Sequence, residues 1–303
     1  MRCYNSCVRR ALRLFLGLAA MALLVPAAAS AYSWPLRPFY KQQAIRGYFS
    51  DPRLAGTEAG FHFGVDIVAY DRQPVYAVEG GKASVRGESV SILPKRGGRR
   101  LSYWHLTPYV GTGQIVRQRQ LLGHVVAGSG HLHFAEYSRG TYVNPLRLGG
   151  LAPYIDDTVP QIPKLTFYSA DSPILPENVT GVVDVTLDAF DPSPLPLPPA
   201  GWAQARLAPT LIRWQIVQGQ NIVRAWEPVV DFRTFMVPRS LFNLVYAPGT
   251  FQNRPDRPGR YEYYLAHGLD TALLPNGSYV LQADVLDAQE NLAQASFAFT
   301  VRN

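Results

Sequence analysis

Cysteine is nearly missing from this chain: two residues in 303, Cys3 and Cys7, both within the first seven positions. Everything after them is free of thiols, which excludes disulfide staples and thiolate metal ligands. Charged residues are also sparse, at 17% of the chain against roughly 25% in an average globular protein. Long hydrophobic runs are limited to Leu14–Val25, short of the roughly 20 residues that span a bilayer. Long amphipathic helical patterns are absent as well, and short β-rich runs punctuated by Gly, Pro, Asn and Asp take their place.

The one apolar run has a clear context. Arg2, Arg9, Arg10 and Arg13 precede or border it, and Ala29-Ser30-Ala31 follows as a small-residue cleavage pattern. Residues 1–31 are therefore expected to be a secretory signal peptide, which also carries away both cysteines. It implies an extracytoplasmic location, with no stable membrane span left after cleavage. Removing its four arginines takes the formal charge from +7 to +3. An excess that small is compatible with an anionic cell wall and does not indicate nucleic-acid binding.

The remaining chain, roughly 270 residues, is long enough for two domains of about 100–200 residues. Phe63–Ala69, Val75–Val78, Ala83–Val85, Ser89–Leu93, Leu101–Leu106, Leu121–Ala127 and His131–Tyr137 read as strands of a first domain, 32–153. Gly149-Gly150, Pro153, Pro160 and Pro163 suggest a linker at 154–164. Beyond it, Val183–Ala189 alternates apolar and polar residues, and Ser278–Leu286 meets Ala295–Val301 across a polar turn. Residues 165–303 are expected to form an immunoglobulin-like β-sandwich. The connections Ala247–Arg260 and Ala266–Asn276 have no assigned structure.

Only six histidines occur, and four fall in three patches: His62-Phe-Gly-Val-Asp66, Tyr103-Trp104-His105-Leu106 and His131-Leu132-His133. Two imidazoles and one carboxylate from such a set suit zinc, with a coordination position left for water. The other two histidines are then available as proton carriers, so a hydrolytic metal site is the first functional expectation. On a strand, His131 and His133 project from one face and Leu132 from the other. His62 and Asp66 would lie roughly 13 Å apart on an ideal strand, and Gly64 offers the bend that brings them together.

In this order the patches resemble the M23 family of zinc metallopeptidases, the LytM/lysostaphin type. The family pattern is His-x3-Asp, then aromatic-x-His-Leu, then His-x-His-Phe. Gly47–Arg53, Asp66-Ile67 through Pro74-Val75-Tyr76-Ala77, Gly113–Val116 with Leu122-Gly123, and Val143-Asn144-Pro145-Leu146 resemble its flanking stretches. The resemblance covers residues 43–148. It implies a mainly β, LytM-type antiparallel catalytic domain with His62, Asp66 and His133 as zinc ligands. It also implies His105 and His131 as the pair beside the water: His131 as general base and His105 as oxyanion partner, or the reverse. The implied substrate is bacterial peptidoglycan, cut in its stem peptide or cross-bridge. Relatives that lost ligands act as non-catalytic wall-binding or hydrolase-activating modules; no ligand is missing here. Two stretches depart from the pattern, a compact Gly80–Arg100 and a short Ala127–Gly130 loop, and both would cut back the walls of the substrate groove and alter its shape.

The remaining candidates read more simply. His124 and His267 are expected on the surface, Tyr103 in strand packing, and Glu136 without a primary role. Asp184, Asp188, Asp284 and Asp287 raise calcium as a thought, but alternating strand acids normally face solvent. Lys95–Arg100 reads as a basic hairpin tip.

Overall fold

A computed structural model describes residues 31–54, 59–95, 98–198 and 202–303. The expected signal segment, apart from Ala31, lies outside the described residues, as do Arg96 and Gly97 of the basic cluster. The chain is mainly antiparallel β. Among the described residues no helix is long and apolar enough to cross a membrane.

The first unit is built on an eight-stranded sheet whose centre is the His131–Ser138 strand. On one side it pairs with Val65–Val68 and, beyond that, Ile45–Gly47. On the other it pairs with Arg99–Trp104, followed by Ser89–Leu93, Gly81–Arg86 and Ile115–Val116. Register decides what this sheet can do. His133 stands opposite Asp66 on one neighbour and Trp104 on the other. One residue along, Phe134 stands opposite Val65 and Tyr103. Because side chains alternate, the Phe134 row fills the core while the His133 row emerges together on the opposite face. Val65, Phe134 and Tyr103 are fully buried. A three-stranded sheet, Pro74–Tyr76, Leu121–Val125 and Leu106–Pro108, covers the far side of that core.

The second unit packs two sheets face to face. One holds Ser172–Ile174, Gln161–Ser169, Val182–Pro192 and Arg206–Leu207, with Glu262–Asp270 also on Val182–Pro192. The other holds Asn221–Asp231, Leu211–Gln218, Gly277–Leu286 and Leu292–Val301. Phe167, Val185 and Leu187 from the first meet Trp214, Leu281, Val285 and Phe299 from the second in one core.

Two stretches are more regular than the sequence suggested. The strand Gln161–Ser169 begins inside the stretch expected as a linker. Ser172–Ile174 reaches only Phe167–Ser169, and the register slips between Gln161 and Lys164. Pro163 therefore sits at an irregular, one-sided strand end where no ladder donor is needed. Glu262–Asp270 is a strand running into the stretch Ala266–Asn276 that had no assigned structure. His267 and Gly268 weakened its pattern, and a register shift accommodates them.

The two units are joined by more than chain. Phe49 and Phe61, from the first, belong to the core of the second. Asn144 N–H donates to Thr234 O and Met236 N–H to Tyr142 O, at 2.8 and 3.0 Å, so residues 234–236 run beside 142–144.

Candidate metal centre and cleft

Three side chains converge at the end of the central strand. His62 Nε2 lies 2.8 Å from His133 Nδ1, and each lies 3.0 Å from Asp66 Oδ1. This near-equilateral triangle is a little tighter than the edge of about 3.4 Å in a tetrahedron with bonds near 2.1 Å. The group His62, Asp66, His133 could hold a metal ion.

The chemistry of the donors fits that use. His62 Nδ1–H donates to the Tyr48 carbonyl at 2.7 Å, which leaves the Nε2 lone pair aimed at the triangle. Burial, with the Arg53 guanidinium and His133 in support, pulls the His62 imidazole down to about 3, so it is neutral. Burial alone would raise Asp66; the adjoining His62, Arg53 and the hydrogen bond from His133 hold its carboxyl well below the usual range instead. Arg53 donates to Asp66 Oδ2 at 2.7 Å, which assigns the other oxygen, Oδ1, to the triangle.

Two glycines make this approach possible. A Cβ on Gly64 would stand 2.3 Å from Phe134 O and 2.9 Å from His133 Nε2. A Cβ on Gly47 would stand 2.8 Å from Asp66 Oδ2 and 2.9 Å from Arg53 Nη2. The bend expected at Gly64 is therefore a matter of contact distance, since nothing else fits against the neighbouring strand.

His131 and His105 flank the triangle, their rings 4.4 Å apart. His131 Nδ1 lies 2.7 Å from Ser129 O, and its Nε2 lies 3.6 Å from Asp66 Oδ1. Arg46 donates to the same carbonyl at 3.1 Å and stands 2.6 Å from His131 Nδ1. Burial lowers His131 to about 4, with Arg46 reinforcing and Asp66 opposing. His105 occupies a left-handed backbone position (φ 63°) between the strands Arg99–Trp104 and Leu106–Pro108. That turn swings its ring to the His131 side. Burial and the nearby His133 lower its pKa. All five residues singled out from the sequence thus meet in one place.

They open into a cleft of about 730 Å³. Phe63, Trp104 and Tyr142 line it from the first unit, and Met236, Val237 and Arg239 from the second. The groove whose loop walls were expected to be cut back has a wall supplied from elsewhere in the chain. Sequence reasoning missed that wall, and it missed Arg46 and Arg53 as partners of His131 and Asp66.

The other candidates stay apart from the site. Tyr103 is buried and its hydroxyl accepts from Val78 N–H. Glu136 is buried and takes two bonds from Arg147 and one from Tyr32. His124 packs edge-on against Tyr109, and His267 lies over Tyr264. Asp284 is held by Arg213, and Asp184 accepts from Gly268 N–H.

A sheet-borne His-Asp-His triangle able to hold a metal, flanked by two further histidines in a cleft, is an arrangement suited to metal-assisted hydrolysis. Residues 60–145 match the model of peptidase family M23, and the first unit is an M23-type domain. No curated protein matches the chain. Among solved structures, it is similar to a zinc-containing peptidase from Vibrio cholerae at 24% identity, over 38% of this chain and 39% of that one, TM-score 0.33. The chain thus spans well under half of that protein. It is also similar to the catalytic domain of the antimicrobial peptidase lysostaphin from Staphylococcus simulans at 25% identity, over 33% and 86%, TM-score 0.29. A third likeness is a mutant catalytic domain of the prophage-encoded M23 protein EnpA from Enterococcus faecalis, at 24% identity over 36% and 92%, TM-score 0.29.

Proposed function

We propose that this protein is an exported zinc metalloendopeptidase that hydrolyses peptide bonds of bacterial peptidoglycan. The observation that carries the reading is the 2.8–3.0 Å triangle of His62, Asp66 and His133 beside His105 and His131. Zinc held there supplies Lewis acidity to a water and to the scissile carbonyl. His131, neutral and anchored through Nδ1 to Ser129 O, takes the water proton at Nε2 and passes it to the leaving amine. His105 donates to the oxyanion that develops on the carbonyl. Arg46 disfavours a lasting imidazolium at His131, and Arg53 keeps Asp66 ionised and oriented. Phe63, Trp104 and Tyr142 offer flat apolar contacts to an extended peptide, and Met236 and Val237 close its other side. We further propose that residues 32–153 form the catalytic domain and 165–303 an immunoglobulin-like sandwich, preceded by a signal peptide at 1–31.

The test compares zinc content and turbidity loss of purified cell walls for wild type, His62→Ala and His131→Ala. Wild type should bind one zinc and clear the walls; His62→Ala should lose the metal and the activity. His131→Ala should keep zinc and lose about 10²–10⁴-fold in turnover, the usual worth of a positioned base. Equal clearing by all three proteins would overturn the assignment.

A further inference from the structure

Away from the cleft, three carboxylates from three distant parts of the chain meet in the interior. Asp156 belongs to the segment leaving the first unit, Asp191 to the end of Val182–Pro192, and Asp287 to the turn between Gly277–Leu286 and Leu292–Val301. One oxygen from each lies within 4.8 Å of the others. Their exposures are 4%, 0% and 0%.

Two of the three are held as hydrogen-bond acceptors. Asp156 Oδ1 accepts from Thr158 N–H at 3.0 Å and from the Thr158 hydroxyl, and Oδ2 from the Tyr154 and Tyr48 hydroxyls at 2.9 and 3.3 Å. Asp287 Oδ1 accepts from Gln289 and Asn291 N–H at 2.8 and 2.9 Å, and Oδ2 from Asn291 Nδ2 at 2.7 Å. Asn291 Nδ2 spends its other hydrogen on Asp156 O at 2.7 Å, tying the segment to the turn. Asp191 differs from both: no donor reaches either of its oxygens. Among the described residues, no lysine or arginine forms an ion pair with any of the three.

A buried carboxylate without donor or counter-charge costs several kcal/mol, and three together repel one another. Neither oxygen of Asp191 is used by a donor, and one of them lies within 4.8 Å of an oxygen of each of the two carboxylates already fixed in place. Burial and the neighbouring Asp156, Asp287 and Asp51 raise the pKa of Asp191, so two partners would relieve it, a proton or a cation that accepts oxygen ligands; three oxygens converging within 4.8 Å point to the cation. Oxygen donors alone select a hard cation, and calcium tolerates irregular oxygen cages better than magnesium, which demands a near-ideal octahedron. Ligands on opposite sides of calcium stand up to about 5 Å apart, given bonds of 2.3–2.6 Å, which accommodates the observed spacing.

We propose that Asp156, Asp191 and Asp287 form a second cation site, which takes calcium and fastens the segment leaving the first unit onto the sandwich. The site reaches toward the cleft through one residue. Tyr48 touches Asp156 with its hydroxyl and accepts His62 Nδ1–H with its carbonyl. Calcium thereby steadies the residue that orients a ligand of the other site.

The test uses the whole protein, passed over a chelating resin and reloaded with one equivalent of zinc. Calcium is then titrated while the melting temperature is followed, and terbium is used as a luminescent calcium surrogate. Tyr48 and Tyr154 lie against Asp156, so excitation of tyrosine should sensitise terbium bound there. Wild type should bind one calcium, melt about 3–10 °C higher at 10–100 times Kd, and show terbium emission that calcium displaces. Asp191→Asn breaks no hydrogen bond, so it should fold and melt in calcium-free buffer at or above wild type. It should also lose the calcium shift and the terbium signal. Wild type that binds neither ion at about 10 mM calcium, above the 10⁻⁴–10⁻³ M range of weak extracellular modules, would overturn the proposal. So would Asp191→Asn binding as tightly as wild type, or a wild type stabilised by acid alone with calcium making no difference. None of these readouts depends on peptidase activity or on zinc.

Discussion

Gly64→Ala is the sharpest perturbation the geometry offers, because one methyl group meets two rigid neighbours. Its Cβ would stand 2.3 Å from the Phe134 carbonyl oxygen, where carbon–oxygen contacts normally settle near about 3.3 Å. The pair Val65 and Phe134 must therefore part by about 1 Å, in a ladder where both residues are fully buried. Overpacking of this kind typically costs about 1–3 kcal/mol, and a backbone oxygen cannot rotate aside, so about 3 is expected. That corresponds to a fall in melting temperature of about 6–12 °C for a chain of this class. The second contact, 2.9 Å from His133 Nε2, pushes the His133 ring as well. Zinc affinity should fall about tenfold or more, as when a ligand's supporting contacts are disturbed. The control is Gly111→Ala, where an added Cβ meets nothing within 4 Å; it should melt within a few degrees of wild type. Calorimetry and zinc competition against a chelator read both effects. A Gly64→Ala protein that melts within about 1 °C of wild type and binds zinc equally would refute the steric argument.

Three further predictions follow from single contacts. Arg53→Met removes the donor to Asp66 Oδ2 and frees the carboxylate to rotate, so zinc affinity should drop about 10–100-fold; unchanged competition curves would sink it. Val237→Glu puts a charge on the apolar wall lined by Met236 and Val237; KM for wall peptides should rise about fivefold, near 1 kcal/mol of lost contact, with kcat little changed. Asp188 has an oxygen without a donor, and burial, then Glu262, raises its pKa while Arg206, Arg260 and Lys164 oppose. With the folded pKa raised, its contribution is greatest on the acid side and declines as pH rises above the ordinary carboxylate range. Asp188→Asn should therefore be more stable than wild type at neutral pH, by under about 1 kcal/mol, and equal to it below about pH 3. Denaturant midpoints across pH that show a constant difference would contradict this.

What was legible in the sequence follows from how local each determinant is. Ser89–Leu93 and His131–Tyr137 read well because they are short β-rich runs bounded by turn residues, and the structure gives Ser89–Leu93 and His131–Ser138. The five site residues could be picked out because their order and spacing carry the resemblance, and register then brings His133 opposite Asp66. Arg53 and Arg46 were passed over because an arginine on a two- or three-residue strand carries no sign of which carboxylate or imidazole it will meet. Met236 and Val237 reach the cleft through pairing of 234–236 with 142–144, a contact no local pattern encodes. The same holds for the acid trio: Asp287 was weighed with Asp184, Asp188 and Asp284 as strand acids, yet its neighbours are Asp156 and Asp191.

The ligand triangle is divided between two kinds of support. Asp66 and His133 stand on paired strands of the first unit's sheet, and that sheet alone determines their separation. His62 hangs on the turn at 48–51: Ser50 N–H donates to His62 O and His62 N–H to Asp51 O, both at 2.8 Å, and Tyr48 O takes its Nδ1–H. That turn is gripped from the second unit. Ala208 N–H donates to Asp51 Oδ1 at 2.7 Å and the Tyr246 hydroxyl to Ser50 O at 3.0 Å. Phe49 and Phe61, on either side of the turn and its partner strand, are buried in the sandwich core, with Phe61 against Phe232, Phe242 and Tyr246. Two buried phenylalanines at about 1.5–3 kcal/mol each and two hydrogen bonds at about 1 kcal/mol each come to about 5–8 kcal/mol. That is comparable to the whole stability of a typical domain, about 5–15 kcal/mol. A module tethered only for targeting would be expected to contact its partner through a small, polar, easily parted surface. Here parting the units would expose two aromatic rings and release the turn that aims His62, so the sandwich is part of what builds the metal centre.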